Sequence, residues 1–246
     1  MIDFNRSSPE WAGRDTDILV FGIGALEQHG PHLPLKVDIM GAEHAAGVIA
    51  EHFNAALLPT LPFGTSLEHK NFAGTFSLRP KTLARVVKDI ARAAREQKFR
   101  ILIVVSGHGG NHILIPACRE FNRKQSELRI LLVFPSEFAV ATDSESIRRQ
   151  TLDIHAGEFE TSRFLAMGGE LTAPLPSGVG AEEIPVKWKQ QDLTSFGIGR
   201  MSPSGVLGLP EFATAEKGEQ LHASIRENML RHLEDRIGRI RQNPEY

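Results

Sequence analysis

The apolar positions of this chain keep two rhythms that alternate. Residues 18–23 (ILVFGI) form a short, wholly apolar run closed by Gly24, the pattern of a strand buried on both faces. Residues 39–53 then place Ile39, Ala42, Ala46, Ile49, Ala50 and Phe53 at helical spacing, with Asp38 as the expected N-cap. A second strand is expected over 56–61, near an edge or a strand end because of Pro59 and Pro62. Residues 81–97 put Leu83, Val86, Val87, Ile90 and Ala94 on one stripe, an amphipathic helix. Strand 100–105, a helix capped by Asn111 and running to about 124, strand 128–134 and a helix over about 157–167 follow. Leu221, Ile225, Met229, Leu233, Ile237 and Ile240 form the stripe of a last helix.

Apolar strands alternating with amphipathic helices imply right-handed crossovers and a mostly parallel sheet covered on both sides. The expected fold is therefore a single-domain α/β/α layered structure over 1–246. Such sheets bind ligands at the carboxyl ends of their strands. Between about 168 and 210 the rhythm dissolves into Gly, Pro and Ser, which reads as a long excursion over the site or an oligomer contact.

Composition narrows the function. A formal net charge of −2 offers no broad cationic face, so nucleic acid is not an expected partner. The longest apolar run, 101–105, is far short of the roughly 20 residues that cross a bilayer. The first fifteen residues lack the apolar stretch of a secretion signal, and the expected address is the cytosol. The single thiol, Cys118, reads as a small buried apolar group, but there are ten histidines. Of these, His44, His52, His222 and His232 fall in expected helices, whereas the others cluster near glycine-containing turns.

Four such turns follow strands or precede helices. The first holds Glu27, His29, His32 and Asp38; in extended backbone Glu27 and His29 point to one side, a geometry that suits two ligands of a metal centre. The second, SGHGGNH, brings His108 to the end of the best strand, where backbone N–H groups of Gly109, Gly110 and Asn111 are expected to bind substrate and stabilise an oxyanion. The third places His155 before a helix whose first turns contain Glu158 and Glu160. The fourth is Glu68-His69, a catalytic candidate pair whose plainer alternative is a hydrogen-bonded loop clasp. Three carboxylates and two imidazoles exceed the usual need of one tetrahedral zinc and match two metals sharing a carboxylate. Without usable thiols the donors suit Zn first, with Mn or Fe as alternatives. No P-loop follows, and Glu27 stands where a dinucleotide fingerprint needs its third glycine.

On the segments GALEQHGPHLPLKVD, EHKNFAGTFSL, SGHGGNH and HAGEFETS, in that order, the chain resembles the creatininase family of metal-dependent hydrolases. The resemblance implies a mainly parallel α/β fold, a two-metal centre and assembly into rings or hexamers. It implies that Glu27 and His108 bind one metal, His29 the other, and that Asp38 bridges. Creatininase itself carries a glutamate at the position of Gly110; Glu160 is the expected replacement and Glu158 its competitor. A Trp-Asp pair of creatininase is replaced by Thr151 and Leu152, which counts against creatinine as substrate. The expected activity is hydrolysis of a C–N bond in a small amide, lactam or cyclic amide by a metal-activated hydroxide, with His155 protonating the leaving nitrogen because an unperturbed imidazole titrates near working pH. The alternative keeps the metals and acts on a keto-sugar or inositol derivative. A non-catalytic metal-binding module is disfavoured, because a structural site needs no open, glycine-lined mouth.

Overall fold

A computed structural model describes residues 1–124, 127–139, 147, 153–178 and 195–243. Five parallel strands form one sheet: β1 (Ile2–Asp3), β2 (Ile18–Ile23), β3 (Ala56–Leu57), β4 (Ile101–Ser106) and β5 (Arg129–Val133), in the order β1-β3-β2-β4-β5. The helices are α1 (Ser8–Ala12), α2 (Val37–His52), α3 (Pro80–Glu96), α4 (Leu114–Lys124), α5 (Glu158–Ala166) and α6 (Ala215–Gln242).

The strictly alternating side-chain direction of a strand divides the core in two. Ile18, Val20, Ile101, Ile103 and Val105 face α2 and the apolar stripe of α6. Leu19, Phe21, Ile23, Leu102 and Val104 face α3 and α4. Both faces of β2 and β4 are thus dry, which is why their sequences carry no polar alternation.

Several expected boundaries shift. The second strand shrinks to Ala56–Leu57, because Pro59 has no N–H to give the ladder, although Leu58 and Leu61 still donate to Val20 and Gly22. It lies next to the edge strand β1, and Pro59 and Pro62 fall beyond its end, as the prolines imply. Helix α2 begins at Val37 with Lys36 as N-cap, so Asp38 lies inside the first turn instead of capping it. Helix α4 begins at Leu114, leaving Asn111 in the preceding turn. Within the expected excursion 168–210, residues 179–194 lie outside the described residues; a 3-10 turn (Ile198–Arg200) and the bridge His155–Leu207 bring its second half back to the strand ends. Among the described residues no helix is long and apolar enough to cross a membrane.

Candidate metal centre

The loops after β2, β3 and β4 meet the first turns of α2 and α5 at the carboxyl end of the sheet. Close approach of β4 to α2 depends on Gly107, where a Cβ would stand 2.1 Å from the Asp38 carbonyl oxygen. With that contact made, Asp38 Oδ2 lies 3.2 Å from His108 Nδ1 and Oδ1 lies 3.5 Å from His29 Nε2. Glu27 Oε2 is 3.2 Å from His108 Nε2, and Glu160 Oε1 is 3.5 Å from His29 Nε2.

Hydrogen bonds to backbone fix the rings. His29 Nδ1–H donates to the Glu27 carbonyl at 3.1 Å, turning Nε2 toward Asp38 and Glu160. His108 Nε2–H donates to the Thr65 carbonyl at 3.0 Å, turning Nδ1 toward Asp38. His155 Nε2–H donates to the Gln28 carbonyl at 2.8 Å, and its Nδ1 lies 3.9 Å from both Glu27 and Glu160. Such carbonyl partners orient the imidazoles of metal sites. The Glu160 carboxylate is held by the Ala156 N–H at 2.7 Å. Ala156 itself adopts the left-handed conformation, φ 51°, a strain of order 1 kcal/mol that the surrounding packing sustains.

Two groups of donor atoms result, each within 4.8 Å of one another: Glu27, Asp38 and His108, and His29, Asp38 and Glu160. A third group, Glu27, His29 and His155, overlaps them. Asp38 is common to the first two. Both carboxylate oxygens of Glu27, Asp38 Oδ2 and His29 Nε2 are buried without a hydrogen-bond partner, an arrangement that costs free energy unless a cation satisfies it. Burial lifts the Glu27 carboxyl to about 8. Although burial opposes charge on the imidazoles too, Glu27 and Asp38 raise His108 well above its usual range, and Glu160 and Asp38 do the same to His29. The donor set therefore demands positive charge at its centre, and a divalent cation fits it.

The structure separates the two acids of α5. Glu160 faces His29, whereas Glu158 is turned away, buried and ion-paired with Lys217. Glu68 lies 3.3 Å from His108 Nε2, and a Cβ on Gly110 would stand 1.9 Å from Glu68 Oε1, so the Glu68 carboxylate occupies the space of a side chain at 110. His69 is tied to the centre from behind. Gln28 Oε1 accepts from the Gly30 N–H, which leaves its amide nitrogen to donate to His69 Nδ1 at 2.9 Å, while His69 Nε2 faces Glu27 at 3.3 Å.

Two expectations need correction. Asn111 does not line the cleft: fully buried, it accepts from the Thr65 N–H and donates to Ser106 Oγ, bracing the loops that carry His108. His155 does not titrate near neutrality, because burial and the neighbouring His29 lower it to about 4. The motifs do not single out Gln28, Thr65 or Arg163. Of these only Arg163 had a legible signal, since it lies one turn after Glu160 on the same helix face.

The cleft over this centre has a volume of about 330 Å³ and is lined by Asp38, Glu68, His69, His108, Gly109, Gly110, His112, His155, Glu160 and Arg163, with Phe159, Ile154 and Ile198 among its apolar walls. That size admits a small molecule or the end of a chain.

Comparison with known proteins agrees with this architecture. The creatininase family model, described as creatinine amidohydrolase, matches residues 5–233. A mycofactocin precursor peptide peptidase of Mycolicibacterium smegmatis is 33% identical over 88% of this chain and 83% of its own length. Creatinine amidohydrolase of Pseudomonas putida is 28% identical over 82% of this chain and 83% of its own. A 3-dehydro-scyllo-inosose hydrolase of Thermotoga maritima is 23% identical over 84% and 73%. Among solved structures, a creatininase superposes with a TM-score of 0.79 at 23% identity, covering 96% of this chain and 97% of that one. Creatininase structures of similar likeness include a Zn–Zn form and a Mn form.

Proposed function

The chain belongs to the creatininase family, and from this premise we propose that it is a metal-dependent amidohydrolase acting on a small amide, lactam or cyclic amide. Two divalent ions are assigned to the centre, one to Glu27, Asp38 and His108 and one to His29, Asp38 and Glu160, with Asp38 shared. The observation that carries this reading is the convergence of buried, unpartnered oxygens and nitrogen on Glu27, Asp38 and His29. Zinc is the first choice for such nitrogen and oxygen donors, with manganese or iron as alternatives; the Zn–Zn and Mn forms of creatininase support the first two.

When bound, divalent ions polarise a carbonyl and bring the pKa of a coordinated water toward neutrality, to roughly 7 for zinc. The residues around them handle the proton. His155 gives its Nε2–H to the Gln28 carbonyl, which leaves Nδ1, facing Glu27 and Glu160, as the atom that takes a proton from the attacking water. As the new C–O bond forms and the C–N bond breaks, Nδ1 returns that proton to the departing nitrogen. His69 steadies Glu27 through the Gln28 relay. Glu68 and the backbone of Gly109 and Gly110 border the space beside the reacting carbonyl.

A second reading, cleavage of a peptide C–N bond near a chain end, is favoured by the 33% identical relative named a peptidase. Both readings are tested with a panel of cyclic amides, short peptides and keto-sugars, assayed after thorough chelation and after return of Zn²⁺ or Mn²⁺. Metal-restored turnover of an amide is the expected result; turnover that survives chelation sinks the proposal, and turnover of keto-sugars alone transfers it to the other substrate class. Replacing His155 with Ala is expected to lower kcat by about 10² to 10⁴ with metal content unchanged. Loss of metal in H155A would make His155 a ligand instead.

A further inference from the structure

One charged side chain in the cleft has no place in the proton and metal chemistry. Arg163 lines the same cavity as Asp38, Glu160 and His155. It follows Glu160 by three positions on α5, so the two share a helix face with Cβ atoms roughly 5–6 Å apart. The guanidinium sits over the Phe159 ring, its carbon 5.3 Å from the ring centroid, and this contact holds it from one side. Among the described residues it forms no ion pair and no side-chain hydrogen bond, and its Nε is buried without a partner. The acids nearest in sequence are already engaged, Glu158 by Lys217 and Glu160 by His29 and the Ala156 N–H.

Arg163 is half-buried, and its Nε has lost water without gaining a partner, a cost that a bound acceptor would remove. Its planar fork matches a carboxylate bidentately. We propose that Arg163 is the substrate-recognition residue of this centre and binds a carboxylate lying a few bonds from the scissile C–N bond. The class of substrate is then an N-acyl amino acid or the carboxyl-terminal end of a short peptide. Spacing supports the short reach: with Glu160 at the metals and Arg163 one turn along, the anchored carboxylate and the reacting carbonyl belong to neighbouring groups of one small molecule. The volume of about 330 Å³ fits that size. The inference rests on the amidohydrolase reading for its substrate but predicts binding independently of turnover.

The experiment uses the zinc-loaded protein and N-acetylglycine, N-acetylalanine and N-acetylphenylalanine, each as the free acid and as the primary amide. Affinity is measured by isothermal titration calorimetry, and hydrolysis is followed separately by release of the amino acid or its amide. The wild type is expected to bind at least one acid about tenfold or more tightly than its amide. R163M should abolish that preference without changing zinc content, and R163K should retain part of it. A carboxylate captured by the metals alone would bind R163M as tightly as wild type, which overturns the proposal. A wild type indifferent to acid against amide overturns it with no variant needed. Preference for the acid without hydrolysis of either form keeps the role of Arg163 and removes the amidohydrolase; hydrolysis of both forms at equal affinity does the reverse.

Discussion

Replacing Asp38 with Asn is expected to empty at least one of the two proposed metal positions and to lower kcat/KM by about a thousandfold or more. Asp38 is the residue whose two oxygens face different imidazoles, His29 through Oδ1 and His108 through Oδ2. Burial opposes its charge, yet His108 and His29 hold its carboxyl well below the usual carboxylate range. Asparagine keeps the shape but presents an NH₂ group toward one of those nitrogens, and an amide donor cannot ligate a cation. Metal per chain by plasma emission spectroscopy and turnover of the best panel substrate provide the measurement. The metal-free variant should melt below wild type, by about 1 to 3 kcal/mol, because His29 and His108 lose the buried negative charge that faces both of them. Full metal content with undiminished turnover would refute the shared-ligand assignment.

Replacing Lys217 with Met should act on stability alone, and strongly. Its ammonium pairs with Glu158 at the start of α5 and also donates to the Phe212 carbonyl at 2.8 Å. Glu158 is 1% exposed, so loss of the ammonium leaves its carboxylate buried without the counter-charge that Lys217 supplies. Stranding one partner of a buried pair costs about 3 kcal/mol, or roughly 10 °C in Tm for a chain of this size. The double variant E158Q/K217M should regain most of this loss, because the pair is then removed as a unit. Zinc content of K217M at 25 °C should match wild type, since Glu160 and not Glu158 faces the proposed metal positions. A K217M protein that melts normally but lacks metal would reverse the roles assigned to the two acids.

The layered fold was legible because its central strands are apolar on both faces and its helices are apolar on one. Leu83, Val87 and Ala94 on α3, and the stripe from Leu221 to Ile240 on α6, are buried where their spacing predicts. Segments β1 and α1 escaped notice because each is too short to show a period: two and five residues, without a buried side chain between them. The site was legible where chemistry is concentrated in a turn. Glu27, His29, Asp38, His108 and Glu160 converge as the motifs imply, although the helix is capped by Lys36, two residues before Asp38. What a single turn cannot reveal is who stands across from it. Asn111 has the composition of a cap, but its partners Thr65 and Gly24 arrive from other loops. The lowered titration of His155 likewise depends on His29, whose ring centroid lies 4.5 Å away and 126 positions earlier in the chain.

The 28-residue helix α6 is about 42 Å long and touches two very different environments. Its later turns, through Met229, Leu233 and Ile237, belong to the same core as the central strands, while its first turn grips α5 through Lys217. The wall of the cleft is therefore fastened to the most protected part of the molecule and not to a loop. Amide hydrogens of α5 should exchange with solvent at rates close to those of β4, by cooperative opening of the whole layer, whereas the turns around Gly109 and Gly205 should exchange through local fluctuation. A cleft wall that opens only with the core keeps Glu160 and Arg163 in register and leaves access to the surrounding turns.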